Sequence, residues 1–145
     1  TMSNKEQAQE FKAKGNTAFL AQKYEEAIEH FSKAIELDPT DHVFYSNRSG
    51  SYAGLGKFNE ALNDAEKTIQ ILPDWPKGYS RKGLAQFNLG LISEASATYE
   101  AGLKLDPENA QLKDGQKQAQ QLAQVDLLLK LMQMPQLKDH LLKLF

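Results

Sequence analysis

The chain has 145 residues, with 17 Lys plus Arg against 19 Asp plus Glu and a formal net charge of −2. That length is one domain's worth, and the charge balance excludes attachment to nucleic acid by bulk charge, which needs a basic surplus or stripe. There is no cysteine, so disulfide scaffolds, zinc ribbons and thiol nucleophiles are excluded, and His30, His42 and His140 are too scattered for a metal site.

No apolar run approaches the roughly 18 residues that a membrane span needs. The N-terminal residues are polar and lack the apolar core of a signal peptide. The expectation is a soluble cytoplasmic protein. Ala, Leu, Glu, Lys and Gln supply 75 of the residues and Val only two. Strong helix formers with little β-branching predict an all-α fold.

Pro39, Pro73 and Pro107 are spaced 34 and 34 apart. Cutting the chain at that period gives rows 8–41, 42–75 and 76–109. Column 4 then reads Phe11, Tyr45, Tyr79; column 8 reads Gly15, Ser49, Gly83; column 20 reads Ala27, Ala61, Ala95; column 24 reads Phe31, Ala65, Tyr99. Small residues recur where helices must approach closely, and aromatics recur where a gap must be filled. Each row reads as two helices, roughly columns 1–14 and 17–30.

In row one, Tyr24, Ala27, Ile28, Phe31, Ala34 and Ile35 follow the spacing of an amphipathic helix. Row two repeats it with Phe58, Ala61, Leu62, Ala65 and Ile69, and row three with Ile92, Ala95, Tyr99 and Gly102. Gly56 and Gly90 punctuate the turns within rows. Asp41, Asp74 and Asn109 stand where helix N-caps belong.

Residues 110–131 read as a capping helix, with an apolar stripe of Leu112, Ala119, Leu122 and Ala123 and a weak point at Gly115. From Leu127 to Phe145 the chain carries more apolar side chains than one short helix face can pack. Pro135 is expected to break the helix there. Residues 132–145 read as a linker or the start of a following helical domain, or else as an amphipathic segment for a partner or for oligomerisation.

Columns 2, 5, 6, 9 and 12 share one side of each first helix. They present Lys12, Asn16 and Phe19 in row one, Asn47, Gly50 and Ala53 in row two, and Lys77 and Arg81 in row three. Singly, Lys12 is a solvated surface charge, Asn16 and Asn47 are local or packing polar groups, and Phe19 is a gap-filling aromatic. As a set they differ, because no carboxylate shares those columns. Three cations and two carboxamides on one side suit capture of carboxylates. A peptide ending in an acidic residue supplies two carboxylates at once.

The 34-residue period and its columns resemble the tetratricopeptide repeat. Lys12–Asn16, Tyr45–Arg48 and Lys77–Lys82 are similar to its dicarboxylate-clamp subclass, and Asp41–Ser49 and Pro73–Gly83 to the first such domain of the heat-shock organising (Hop/Sti) co-chaperone family. That resemblance implies a right-handed superhelix with the first helices on its concave side. It implies binding of the C-terminal Glu-Glu-Val-Asp tails of the 70-kDa and 90-kDa heat-shock chaperones, the 70-kDa tail preferred, with no cofactor. By the family's pattern, Lys12, Asn16 and Asn47 hold the terminal main-chain carboxylate. Lys77 meets the terminal side chain with Arg81 assisting or reaching upstream, and Phe19, Gly50 and Ala53 border the penultimate Val. Gly50, Gly54 and Phe19 depart from the family, which tends to carry Ala, Lys and a smaller aliphatic residue there.

Two other readings are weighed. Clamp-type repeats also occur joined to phosphatases, prolyl isomerases and ubiquitin ligases, but each needs a separate catalytic domain, and no catalytic constellation is evident in this chain. A general repeat scaffold would bind without carboxylate capture.

Overall fold

The computed structural model describes residues 1–144, so Phe145 of the apolar tail lies outside the described residues. Eight helices follow in order: α1 (Asn4–Leu20), α2 (Tyr24–Leu37), α3 (His42–Gly54), α4 (Phe58–Ile71), α5 (Pro76–Asn88), α6 (Ile92–Leu105), α7 (Ala110–Met132) and α8 (Pro135–Leu144). There is no strand among the described residues. α1 packs on α2, α3 on α4 and α5 on α6; each pair packs on the next, and α7 closes the stack against α6 and α5. The first helices touch one another in series, whereas α2, α4 and α6 do not. The stack therefore curves, with α1, α3, α5 and α7 on its inner side.

Columns 8 and 24 explain each other. In row one the Phe31 ring lies where a Cβ on Gly15 would sit, 2.5 Å from the Phe31 Cε1. In row three the Tyr99 ring takes the same place over Gly83, again at 2.5 Å. Phe31 is fully buried and Tyr99 nearly so. Such a ring contributes roughly 1.5–3 kcal/mol by leaving water.

Row two has Ser49 and Ala65 in those columns, so no ring fills the gap. Polar contacts replace it. The Ser49 hydroxyl donates to the Ala61 carbonyl at 2.8 Å. One residue earlier, Arg48 donates from Nε and Nη2 to the two Asp64 carboxylate oxygens at 2.7 and 2.8 Å. Its Nη1 donates to Ser32 at 3.1 Å. The guanidinium also sits over the Tyr45 and Tyr52 rings, at 5.9 and 5.8 Å.

Two of the expected caps form. Asp41 accepts from the Val43 N–H and Asn109 from the Leu112 N–H. Asp74 does not cap; α5 starts at Pro76, its N-cap is Trp75, and no side chain bonds the helix start. The repeat gives the reason: the cap column is 34, which reads Asp41, Trp75, Asn109. Pro76 at the first helical position removes one of the donors that a cap would satisfy. α1 also has a cap, Ser3, in a reciprocal box with Glu6.

Gly56 and Gly90 take positive φ, 75° and 82°. Their row-one counterpart is Gln22, at φ 60°. A non-glycine side chain is disfavoured in that region. We expect Gln22→Gly to raise stability by up to about 1 kcal/mol, read as a higher urea midpoint at unchanged slope. An unchanged or lower midpoint would show that the turn carries no strain.

α7 buries Leu112 and Ala119 against the third pair. Leu122 and Ala123, expected in the same stripe, are exposed and face the open cleft beside the start of α6. Gly115, the weak helix former, has a packing reason: a Cβ there would collide with the Tyr99 ring. Helix propensity is traded for a close approach. Residues 120–130 of α7 are exposed on every side, and α8 packs against α7 alone among the described residues. The break falls at Gln133 and Met134, with Pro135 opening α8.

Candidate functional site

The inner helices bring five of the eight candidate residues to one pocket. It measures about 260 Å³ and is lined by Asn16, Phe19, Leu20, Asn47, Lys77 and Arg81. Asn16 and Phe19 stand on α1, Asn47 on α3, and Lys77 and Arg81 on α5. The side chains converge because each first helix presents the same face, columns 2, 5, 6, 9 and 12, to the same side of the stack.

The other three sit around this set. Lys12 lies one turn before Asn16 on α1 and is partly buried outside the pocket lining. Gly50 lies beneath Arg81: a Cβ on it would meet the guanidinium at 2.7 to 3.0 Å. The missing side chain lets the Arg81 head group lie against the α3 backbone. Ala53 is partly buried farther along α3 and does not line the pocket.

Polar atoms inside the pocket are arranged rather than saturated. The Asn47 amide donates to the Asn16 side-chain oxygen at 3.0 Å. This fixes the two carboxamides relative to each other and leaves the Asn16 amide free to donate. Arg81 donates from Nε to the buried Ser46 hydroxyl, at a long 3.5 Å. Among the described residues neither Lys77, Arg81 nor Lys12 has a carboxylate within 4.0 Å.

Burial without a counter-charge shows in the titration of both α5 cations. Arg81 is pushed below its ordinary value by desolvation. Lys77 is lowered first by desolvation and then by the neighbouring Arg81 charge. Arginine starts so high that it stays a cation at neutral pH. Partly buried Arg81 and the more exposed Lys77 thus stand beside each other with no counter-charge among the described residues, an arrangement that suits an arriving anion.

One wall is apolar. Phe19 packs on the Phe31 cluster and meets the Tyr24 ring edge-on, centroids 5.6 Å apart. The Tyr24 ring in turn covers Gly54, within 2.7 Å of where a Cβ would be. Leu20 completes the rim at 81% exposure. Sequence reasoning missed Leu20 and Ser46. Leu20 follows Phe19 directly but falls outside the chosen columns; Ser46 does fall in column 5 and reads as neutral until its contact with Arg81 is seen.

A larger open cleft, about 600 Å³, lies between the start of α6 and the exposed half of α7. Its cation, Lys130, is already paired with Asp126 at 3.0 Å. It offers an anion nothing. His30 is outside both cavities, stacked on Phe11 at 6.2 Å. Among the described residues no three His, Asp or Glu side chains converge as metal ligands, and no helix is long and apolar enough to cross a membrane.

The tetratricopeptide repeat family profile matches residues 8–41 and 76–109. The Hsp70-Hsp90 organising protein of Plasmodium falciparum is 56% identical over 113 residues, covering 78% of this chain and 45% of that protein. The chain thus spans less than half the length of this curated relative. Among solved structures, the first TPR of Spaghetti (RPAP3), bound to the HSP90 peptide SRMEEVD, superposes with a TM-score of 0.80 at 33% identity, covering 83% of this chain and 96% of that one. The second TPR domain of human RPAP3, in complex with the HSP70 peptide SGPTIEEVD, gives 0.76 at 32% identity, covering 79% and 95%.

Proposed function

The chain belongs to the tetratricopeptide-repeat family, and from that premise we propose that it is a co-chaperone adaptor module whose groove captures the C-terminal Glu-Glu-Val-Asp tails of the 70-kDa and 90-kDa heat-shock chaperones. The observation that carries this reading is the adjacent pair Lys77 and Arg81, of which Arg81 is the more buried, without a carboxylate within reach of either among the described residues. Lys12, Asn16 and Asn47 hold the terminal main-chain carboxylate, Lys77 takes the terminal side chain, and Arg81 assists. Phe19, with Gly50 and Ala53 nearby, borders the penultimate Val. The repeats are 8–41, 42–75 and 76–109, with 110–131 as their cap, in a cytoplasmic, non-enzymatic protein.

Relatives with this fold support the reading, since two of them are solved with peptides ending in EEVD. Several charge-assisted hydrogen bonds contribute about 1.5–3 kcal/mol each. Ordering a short peptide offsets part of that, which leaves a dissociation constant on the order of micromolar.

The test is a calorimetric titration of the free-acid tail peptide beside the same peptide amidated at its C-terminus. Amidation is expected to weaken binding at least tenfold, because it removes the charge that Lys12, Asn16 and Asn47 receive. Equal affinities would favour the general scaffold instead. The free-acid affinity should also fall as salt rises, since these contacts are partly exposed. Titrating both chaperone tails side by side ranks them.

A further inference from the structure

A second cavity adjoins the first. It measures about 280 Å³, lies between α5 and the capping helix α7, and shares Arg81 as its wall with the carboxylate pocket. Its other walls hold one carboxylate among neutral groups. Asp114 and the carboxamides of Gln111 and Gln118 come from α7, and Leu84 and Tyr99 supply the apolar part. Asp114 is exposed and, among the described residues, forms no ion pair.

Tyr99 is the unusual member. Its ring is 4% exposed and is gripped between Gly83 and Gly115. Tyr45 and Tyr79 each donate their hydroxyl to a loop carbonyl, of Pro39 and Pro73. The Tyr99 hydroxyl has no such partner among the described residues, though its side chain lines the cavity. Burial pushes it up to about 12; like any tyrosine it is neutral at neutral pH and can accept a hydrogen bond as well as donate one.

We propose that this cavity is a second subsite, which takes a cationic, hydrogen-bond-donating side chain (Lys or Arg) located upstream of the acidic C-terminus of a bound peptide. The proposal rests on the carboxylate-capture reading above. The two cavities meet at Arg81, so a residue several positions upstream of the terminal Asp, beyond the Val held against α1 and α3, can reach across that wall, whose charge the bound carboxylates meet. Leu84, 42% exposed, gives the aliphatic stem of Lys or Arg a surface. Asp114, the Tyr99 hydroxyl and Gln118 then accept from its head, while the Gln111 oxygen already accepts from the Ser80 hydroxyl at 3.5 Å. The groove is thus bipolar: it selects an acidic end and a basic residue before it. This gives the capping helix a share in recognition.

The test is a lysine scan. The parent peptide is Ala-Ala-Ala-Ala-Glu-Glu-Val-Asp as the free acid, and a single Lys replaces each Ala in turn. Four extended residues cover about 13 Å. One position, or two neighbouring ones, should bind about fivefold tighter than the parent. In Asp114→Asn that Lys-to-parent ratio should fall to about one, and in Asp114→Lys it should drop below one. Tyr99→Phe, which keeps the ring, should lower the ratio in part. A flat scan, or a gain that survives Asp114→Asn, overturns the subsite while capture of the C-terminus stands. A parent peptide that does not bind at all sinks the capture reading and this subsite with it.

Discussion

Arg81→Ala is expected to remove measurable binding of the free-acid tail peptide while leaving the helical circular dichroism and the melting temperature unharmed. Two opposed facts about Arg81 make this a sharp expectation. Within the protein the guanidinium makes one long hydrogen bond, to Ser46, and no ion pair among the described residues. The fold therefore loses little when it is cut away, and it sheds a desolvated cation. Toward a carboxylate, the same group offers two parallel donors at the joint wall of both cavities. Two charged hydrogen bonds at about 1.5–3 kcal/mol each correspond to a loss of at least a hundredfold. A micromolar complex then passes out of the range of an ordinary titration. Lys77→Ala should do the same through the terminal side chain. Arg81→Lys should recover only part, because a point charge does not reproduce the fork. Wild-type affinity in Arg81→Ala or Lys77→Ala would sink the clamp. Lost binding accompanied by melted helices would assign Arg81 to the fold instead.

The groove was legible because its residues repeat. A helix that returns every 34 residues in the same orientation carries the same columns to the same side, so Asn16, Asn47 and Arg81 can be gathered by counting. What escaped counting was what does not repeat. Gly115 reads as a flaw in α7 until the Tyr99 ring from α6 is found against it, a contact between a repeat and its cap that no column predicts. Asp74 reads as a cap only if the cap column is off by one; Trp75 occupies that column, followed by a proline that needs no cap. Gly50 reads as a border of the Val pocket, and the structure also lays the Arg81 head group against it, because the length of an arginine carries that group back over the neighbouring helix. Tyr99 reads as core in its column, and its core role is real; its hydroxyl has no counterpart in the other rows, where that column holds Phe31 and Ala65.

The second large effect concerns stability, at Arg48 and Asp64. Asp64→Ala is expected to cost about 3 kcal/mol, whereas the double replacement Arg48→Met with Asp64→Leu should cost much less. Asp64 is pushed up by burial, against which the Arg48 hydrogen bonds and charge pull it down, while Arg48 is held up first by its hydrogen bond to Asp64. The two partners thus give different accounts of one contact. The geometry reconciles them: Asp64 is 7% exposed and bears most of the desolvation, and Arg48, at 21%, keeps an edge in water. As a net contribution the pair is therefore small, since the attraction largely repays the burial. Breaking it is another matter. With Asp64 gone, Arg48 stays pinned between Tyr45 and Tyr52 with Ser32 as its one remaining hydrogen-bond partner. That uncompensated charge is the source of the loss, which lies at the lower end of the usual 3–5 kcal/mol because the exposed edge of Arg48 can still hydrate. A urea double-mutant cycle measures it, provided the slope is constant across the four proteins. If both single variants and the double variant lose the same amount, the pair itself stabilises the second repeat, and it does more than fill the space that the ring of rows one and three would occupy.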